Sequence, residues 1–450
     1  MKINRLQSIC IWLIMFAISM QLKAQENKHP NIILILADDL GYGDLSCLGG
    51  KDVLTPNIDL IAKRGMQFTN FYANSTVCSP TRASLLSGKY PDMVGVPGVI
   101  RQEKKDSWGK LKEGIELLPA ILKKSNYHTA LIGKWHLGYQ SPDLPNDRGF
   151  DQFKGFLGDM MDDYYTHLRG GVNWMRHNKT TINPTGHATD IFTQWTIDYL
   201  NERKNQAPPF FLYLAYNAPH FPIQPPAKYL EKVKDRIPGV DDKRARNIAL
   251  VEHMDAGIGQ ILKALKENGQ LTNSLIIFSS DNGGSLPHAQ SNGQLNGGKQ
   301  NMLEGGIKVP FFMYWENQIK EGSKRDQLSM TMDILPTLAD IAGIKTDQQH
   351  DGISLVPFMQ KETSDVKRTV FWVRREGGAY NGQSYYAARK GNMKILQNQP
   401  FEPFVLYDLS KDPYEKNPMD PKDHSEGLLL KKSLMEHIQL SGRVPWQQPN

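Results

Sequence analysis

The chain has 450 residues, long for one compact core, so one large domain with a smaller companion is expected. Apolar residues make up 40% and charged residues 22%, an ordinary globular balance that excludes bulk disorder. The formal charge of +6 is dispersed, with no arginine-rich run or RNA-binding signature, which excludes nucleic acid as a partner.

At the N-terminus, Lys2 and Arg5 precede an apolar run at 9–20, and Leu22 and Ala24 suit the −3 and −1 positions of a cleavage site. Residues 1–24 therefore read as a signal peptide, and the expected location is periplasmic or secreted. The run is too short for a comfortable membrane span and no Cys follows it to carry lipid, so no stable anchor is expected. Loss of the leader removes Lys2, Arg5 and Lys23 and lowers the charge to about +3. It also removes Cys10. Cys47 and Cys78 remain, and an exported protein can pair them unless Cys78 has chemistry of its own.

Four segments then share one pattern: a short run apolar on both faces, followed at once by polar or ionisable residues. Residues 31–37 (NIILILA) lead into Asp38 and Asp39, and 128–132 into Gly133, Lys134, Trp135 and His136. Residues 210–216 lead into Asn217, Ala218, Pro219 and His220, and 274–280 into Asp281, Asn282, Gly283 and Gly284. Such runs are buried parallel strands. Helical spacing falls between them at 55–63, 117–125, 189–203 and 244–268. The alternation predicts an α/β fold with a large, mostly parallel sheet between helices. Ligands of such sheets bind beyond the carboxyl ends of the strands, so the four polar clusters are predicted to meet at one edge.

Residues 308–315 read as a further strand and 332–342 as a helix. After about residue 356, short strands at 369–373, 384–389, 393–397 and 405–409 precede a helical tail at 425–440. The expected division is an α/β domain over 25–355 and a C-terminal subdomain over 356–450, an antiparallel sheet with one helix.

Asp38, Asp39, Asp281 and Asn282 offer hard oxygen ligands at two strand ends, a set that suits Ca²⁺ or Mg²⁺. The plainer alternative for Asp38 and Asp39 is capping of the turn that follows. No Cys or His pair has zinc-finger spacing. In Cys78-Ser79-Pro80-Thr81-Arg82, Ser79 can cap a helix that Gly88 ends, placing Cys78 and Arg82 beside an anion-binding helix N-terminus. Cys78 is then a thiolate nucleophile, or a buried structural residue.

Cys78-Ser-Pro-Thr-Arg82 matches C-x-P-x-R, the signature of the formylglycine-dependent sulfatases of the alkaline phosphatase-like superfamily. DDLGYGD at 38–44, GKWHLG at 133–138, APH at 218–220, DNGG at 281–284 and GKQNMLEGG at 298–306 resemble further motifs of that family, in its order. The chain thus resembles bacterial carbohydrate sulfatases, and the resemblance implies an alkaline phosphatase-like fold and hydrolysis of sulfate esters. It implies that a formylglycine-generating maturation enzyme oxidises Cys78 to formylglycine, whose gem-diol attacks sulfur. Collapse of the diol to the aldehyde would then release sulfate without water attacking sulfur. The same resemblance implies that Asp38, Asp39, Asp281, Asn282 and modified residue 78 hold one cation, with Ca²⁺ favoured over Mg²⁺. Arg82, Lys134 and Lys299 would offset developing charge, His220 would protonate the leaving alcohol, and His136 would help eject sulfate.

The expected substrate is a sulfated oligosaccharide or polysaccharide, with galactose or N-acetylgalactosamine sulfates the leading guess. The loop at 159–177 holds Asp162, Asp163, Tyr164, Tyr165, His167, Arg169, Trp174 and His177 and can form a rim for sugar hydroxyls. Asp163 and His177 from that loop, with Arg374 and Glu376 from the C-terminal region, are the candidate substrate contacts. A phosphate or phosphonate ester hydrolase of the same superfamily, or a non-catalytic carbohydrate-binding protein, are the alternatives.

Overall fold

In the first strand, β1 (Asn31–Ala37), Ile32, Leu34 and Leu36 enter one core and Ile33, Ile35 and Ala37 enter another. Side chains alternate across a strand, so an unbroken apolar run buries both faces. This computed structural model describes residues 29–103, 109–346, 348–360, 365–377 and 382–446. The predicted leader, 1–24, lies outside the described residues.

Five further strands build the sheet: β2 (His128–Lys134), β3 (Gln152–Phe156), β4 (Phe210–Ala215), β5 (Ser274–Ser280) and β6 (Phe311–Trp315). Their order is β6-β5-β1-β4-β2-β3, extended by Met66–Phe68 and Ser323–Arg325 at one edge and by Met175–His177 and Thr180–Thr181 at the other. From β5 to β3 every pairing is parallel, whereas β6 runs antiparallel to β5. β1 lies between β4 and β5, so the connections diverge around it and leave a crevice at the carboxyl ends.

Helices cover both faces. α1 (Cys78–Ser87) is buried along its whole length. α2 (Ala188–Arg203) packs against α3 (Asp242–Glu267). α3 starts where the Asp241 carboxylate accepts the Arg244 N–H at 3.1 Å, and its stripe of Ile248, Val251, Met254, Ile258, Ile261 and Leu265 is buried.

The C-terminal sheet is an antiparallel meander of β7 (Thr369–Arg375), β8 (Ser384–Lys390), β9 (Met393–Gln397) and β10 (Val405–Asp408). One face packs Val370 and Trp372 against Tyr72, Ile307 and Met330 of the larger domain. The other carries Ala388, Ile395 and Leu406 against Leu430 and Leu434 of α4 (Ser425–Ser441). Buried Lys394 pairs with Glu304 at 3.0 Å and Glu415 at 2.8 Å and ties the two parts together. No helix among the described residues is long and apolar enough to cross a membrane.

Candidate active site

The predicted edge of the sheet carries the polar clusters. Asp38 and Asp39 leave β1, and Asp39 takes a left-handed backbone conformation, φ 65°. That turn lets two consecutive carboxylates face one site, which a continuing strand forbids. Gly133, next to last in β2, has φ 108°, and a Cβ there would stand 1.9 Å from the Ala215 carbonyl oxygen, so only glycine fits.

α1 begins at Cys78 itself, with Val77 in the capping position. The expected Ser79 cap does not form, because the Ser79 hydroxyl accepts the Ile100 N–H at 3.0 Å instead. Gly88 closes the helix in the left-handed conformation, as its position predicts. Cys47 is exposed, Cys78 is buried and both are free thiols, so they do not pair.

Around Cys78 the charges interlock. Its Sγ lies 3.4 Å from Asp38 Oδ1 and 3.9 Å from Lys299 Nζ. Lys134 Nζ donates to Asp38 at 2.6 Å, and Lys299 Nζ donates to Asp39 at 2.7 Å. Arg82 donates through Nε and Nη2 to Asp281 at 3.2 and 2.8 Å, and through Nη1 to the Lys134 carbonyl at 3.1 Å. Asp281 also accepts the Asp39 N–H at 3.1 Å. Burial pushes the Cys78 thiol well above its usual range and Asp38 adds to the shift, so in this arrangement it is a weak nucleophile.

Burial opposes the charge of Asp39, yet the Lys299 ammonium holds its carboxyl well below the usual range. Burial and the neighbouring Asp38 push Asp281 upward despite Arg82. Asp281 is thus the acid whose charge the local cations do not offset, a condition that a bound cation relieves. Asn282 Oδ1 is buried with no hydrogen-bond partner, while its Nδ2 donates to Asp39 at 2.8 Å. Asp38, Asp39, Cys78 and His220 present atoms within 4.8 Å of one another. An orphaned amide oxygen beside crowded carboxylates fits a hard cation.

The two histidines have assignable tautomers. His220 Nδ1 faces the Phe221 carbonyl at 2.7 Å and must carry the proton, so Nε2 accepts from Lys299 at 3.1 Å. Burial and the Lys299 charge bring His220 down to about 3, so it is neutral at rest. His136 donates through Nε2 to the Ile100 carbonyl at 2.8 Å, which leaves its buried Nδ1 bare and without a partner. Burial and Lys134 hold it neutral too.

A cavity of about 310 Å³ opens onto Cys78, His136, His220 and Lys299. His220, Phe221 and His288 stack along one wall with centroids 4.6 and 4.4 Å apart.

Over residues 30–344 the chain matches the family model described as Sulfatase, and over 297–440 one described as N-sulphoglucosamine sulphohydrolase, C-terminal. The chain is a member of the sulfatase family. It is 32% identical to N-acetylgalactosamine-6-sulfatase of Mus musculus over 395 residues, 83% of this chain and 73% of that protein. Against arylsulfatase A of Homo sapiens the identity is 30%, over 86% of this chain and 83% of that one. Ps i-CgsB, solved in complex with k-i-k-neocarrahexaose, superposes with a TM-score of 0.85 at 31% identity, covering 94% of this chain and 95% of that one. The fold is alkaline phosphatase-like, and the enzyme is a sulfuric ester hydrolase.

The sulfatase brings Asp38, Asp39, Cys78, Arg82, Lys134, His220, Asp281 and Asn282 into one buried cluster that half-buried Lys299 closes, with His136 on the same cavity. Arg374 lines the cavity wall, and Glu376 accepts from it at 2.7 Å. Asp163 and His177 are not among the lining residues. Asp163 accepts the Tyr165 and Thr166 N–H groups and the Gln224 amide, which commits it to its own turn. His177 is exposed on the next-to-outermost strand of the sheet, where it pairs with Lys154 and Thr180.

From the loop at 159–177 the wall takes Asp159, Met160 and Arg169, with Asp159 accepting from Arg169 at 3.0 and 3.1 Å. Asp159 follows β3, a strand the apolar pattern missed because Lys154 and Gly155 interrupt it. With β3 assigned, the rule of carboxyl ends points to Asp159. Phe221 and His288 stand just beyond the APH and DNGG motifs and are legible by that proximity.

Proposed function

We propose that this sulfatase removes sulfate from a sulfated carbohydrate, with Cys78 converted to formylglycine and one divalent cation held by Asp38, Asp39, Asp281, Asn282 and modified residue 78. The observation that carries the reading is the buried ring around Cys78, in which three cations interlock with three carboxylates at 2.6–3.2 Å. Once residue 78 is oxidised every ligand is an oxygen, which suits Ca²⁺, with Mg²⁺ the alternative. When bound, the cation offsets negative charge on the ester sulfate and on residue 78, and the hydrated formylglycine supplies the hydroxyls that a thiol lacks.

The chain's own residues do the rest. Lys134 and Lys299 offset charge on the sulfate oxygens as it redistributes, and Arg82 fixes Asp281 against the Lys134 backbone. Bond cleavage leaves an alkoxide that needs a proton. The Lys299–His220 pair holds one, with the ammonium donating to Nε2. The bare Nδ1 of His136 accepts a proton from a hydroxyl on residue 78 as sulfate departs. Overall, the ester and water give an alcohol and hydrogen sulfate.

A relative named for N-acetylgalactosamine 6-sulfate and a neighbour solved with a neocarrahexaose support a galactose or N-acetylgalactosamine sulfate as substrate. The leader-like N-terminus supports export. The test uses protein made together with a formylglycine-generating enzyme, assayed for sulfate and phosphate release from sulfated sugars and phosphate monoesters. Sulfate release that disappears in Cys78→Ala is the expected result. Phosphate release alone, or no release with formylglycine verified by mass spectrometry, overturns it.

A further inference from the structure

Beside the catalytic cavity lies a second one of about 350 Å³, between the loop at 292–297 and the turn at 414–416. The two are divided by the segment at 285–288. Ser285, Pro287 and His288 face the catalytic cavity, while Leu286, 52% exposed, faces the second.

This second concavity is stitched together from beneath. Glu415 is buried with φ 51°, and its carboxylate accepts the Glu304 N–H at 2.6 Å and pairs with Lys394 at 2.8 Å. Its carbonyl accepts from Asn296 Nδ2 at 3.0 Å, which joins the two walls. Asp412 accepts the Lys416 and Asn417 N–H groups at 3.0 and 2.7 Å. The anchored turn presents Tyr414 half-buried and Lys416 exposed, with Lys416 Nζ 5.7 Å from the Tyr414 ring centroid. The concavity thus brings together the Tyr414 ring, one face of which meets the Lys416 ammonium, with the Gln294 amide for hydroxyls and that ammonium for an acidic substituent. None of these groups serves the chemistry at residue 78.

We propose that this concavity is a second sugar subsite, which binds another sulfated unit of the same saccharide chain whose ester lies at residue 78. The proposal rests on the sulfate-ester reading of the catalytic cavity and extends it: the substrate is an oligosaccharide or polymer, held at two places. Glu415 acts here as a positioning residue, through Tyr414 and Lys416.

The test compares wild type, Tyr414→Ala and Lys416→Glu, all carrying formylglycine, on three substrates. These are 4-methylumbelliferyl sulfate and the disaccharide and hexasaccharide of sulfated galactose or N-acetylgalactosamine chains. Wild-type kcat/KM is expected to rise from disaccharide to hexasaccharide. Each variant should lose roughly five- to twentyfold on the hexasaccharide, through KM, with the small ester unchanged. Equal losses on the small ester and the hexasaccharide, no loss on the hexasaccharide, or a wild type that gains nothing from length overturns the subsite. A wild type that cleaves no sulfate ester at all overturns the reading beneath it, a separate and visible result.

Discussion

Replacing Lys299 with Met keeps the length of the side chain and removes its charge. The ammonium lies 2.7 Å from Asp39, 3.1 Å from His220 Nε2 and 3.9 Å from Cys78 Sγ, so it borders any group bonded to residue 78. At about 4 Å and an effective dielectric of about 20, one unit charge on another is worth roughly 4 kcal/mol. At about 1.4 kcal/mol per decade that approaches three decades in rate, in line with the 10²- to 10³-fold loss on removing one oxyanion donor. Lys299→Met should therefore lower kcat by about 10²- to 10³-fold on a sulfate ester. Its second signature is in pH. Burial and then the Lys299 charge bring His220 down to about 3; without that charge its pKa rises, and because His220 must then carry the leaving group's proton itself, the rate of the variant should fall as pH rises through that value. Steady-state kinetics across pH read both, with thermal unfolding as a check on folding. A kcat within roughly threefold of wild type, or a loss confined to KM, would refute the placement of this charge at the reacting group.

Cys78→Ala and Cys78→Ser should both abolish turnover while keeping the unfolding midpoint close to wild type, since each fits the buried start of α1; residual multiple turnover in the serine variant would contradict the need for a diol. Lys394→Ala leaves Glu304 and Glu415 buried without their shared cation and should cost about 3–5 kcal/mol of stability, read by urea unfolding. Burial brings His187 down to about 4, below its unfolded value, so the unfolded chain binds more protons between about pH 6.5 and 4. The stability from His187 is complete above that window and lost as pH falls, by up to roughly 3 kcal/mol, and His187→Gln should flatten that part of the pH–stability curve. Added Ca²⁺ should raise the unfolding midpoint of wild type and lose most of that effect in Asp281→Asn; an equal rise in both would remove Asp281 from the proposed ligand set.

The strands that carry the site were legible because they are buried on both faces and therefore apolar at every position, with the candidate residues directly after them. Asp38, Lys134, His220 and Asp281 all follow that rule, and Lys299 was found through the motif around it. The rim was not legible. Asp163 and His177 have the composition of a sugar contact, but one is spent on turn hydrogen bonds and the other sits in a strand paired on both sides, away from the cavity, and composition does not encode direction. Arg374 lines the cavity because β7 ends there, whereas Asp159, also on the wall, was missed with the strand before it. Ser79 has the residue type of a cap, yet the Ile100 N–H is a long-range partner that local spacing cannot show.

Cys78 is 3% exposed at the buried start of a helix, beneath Asp38 and Lys299. On the proposed conversion of Cys78 to formylglycine, the modifying enzyme must reach a thiol that the native fold encloses. Modification and folding are therefore competing events in time. On that reading, a molecule that folds first keeps its thiol and stays inactive. The active fraction of a preparation then measures how long the nascent chain stayed open, and slower folding or more maturation enzyme would raise it with no change in the sequence.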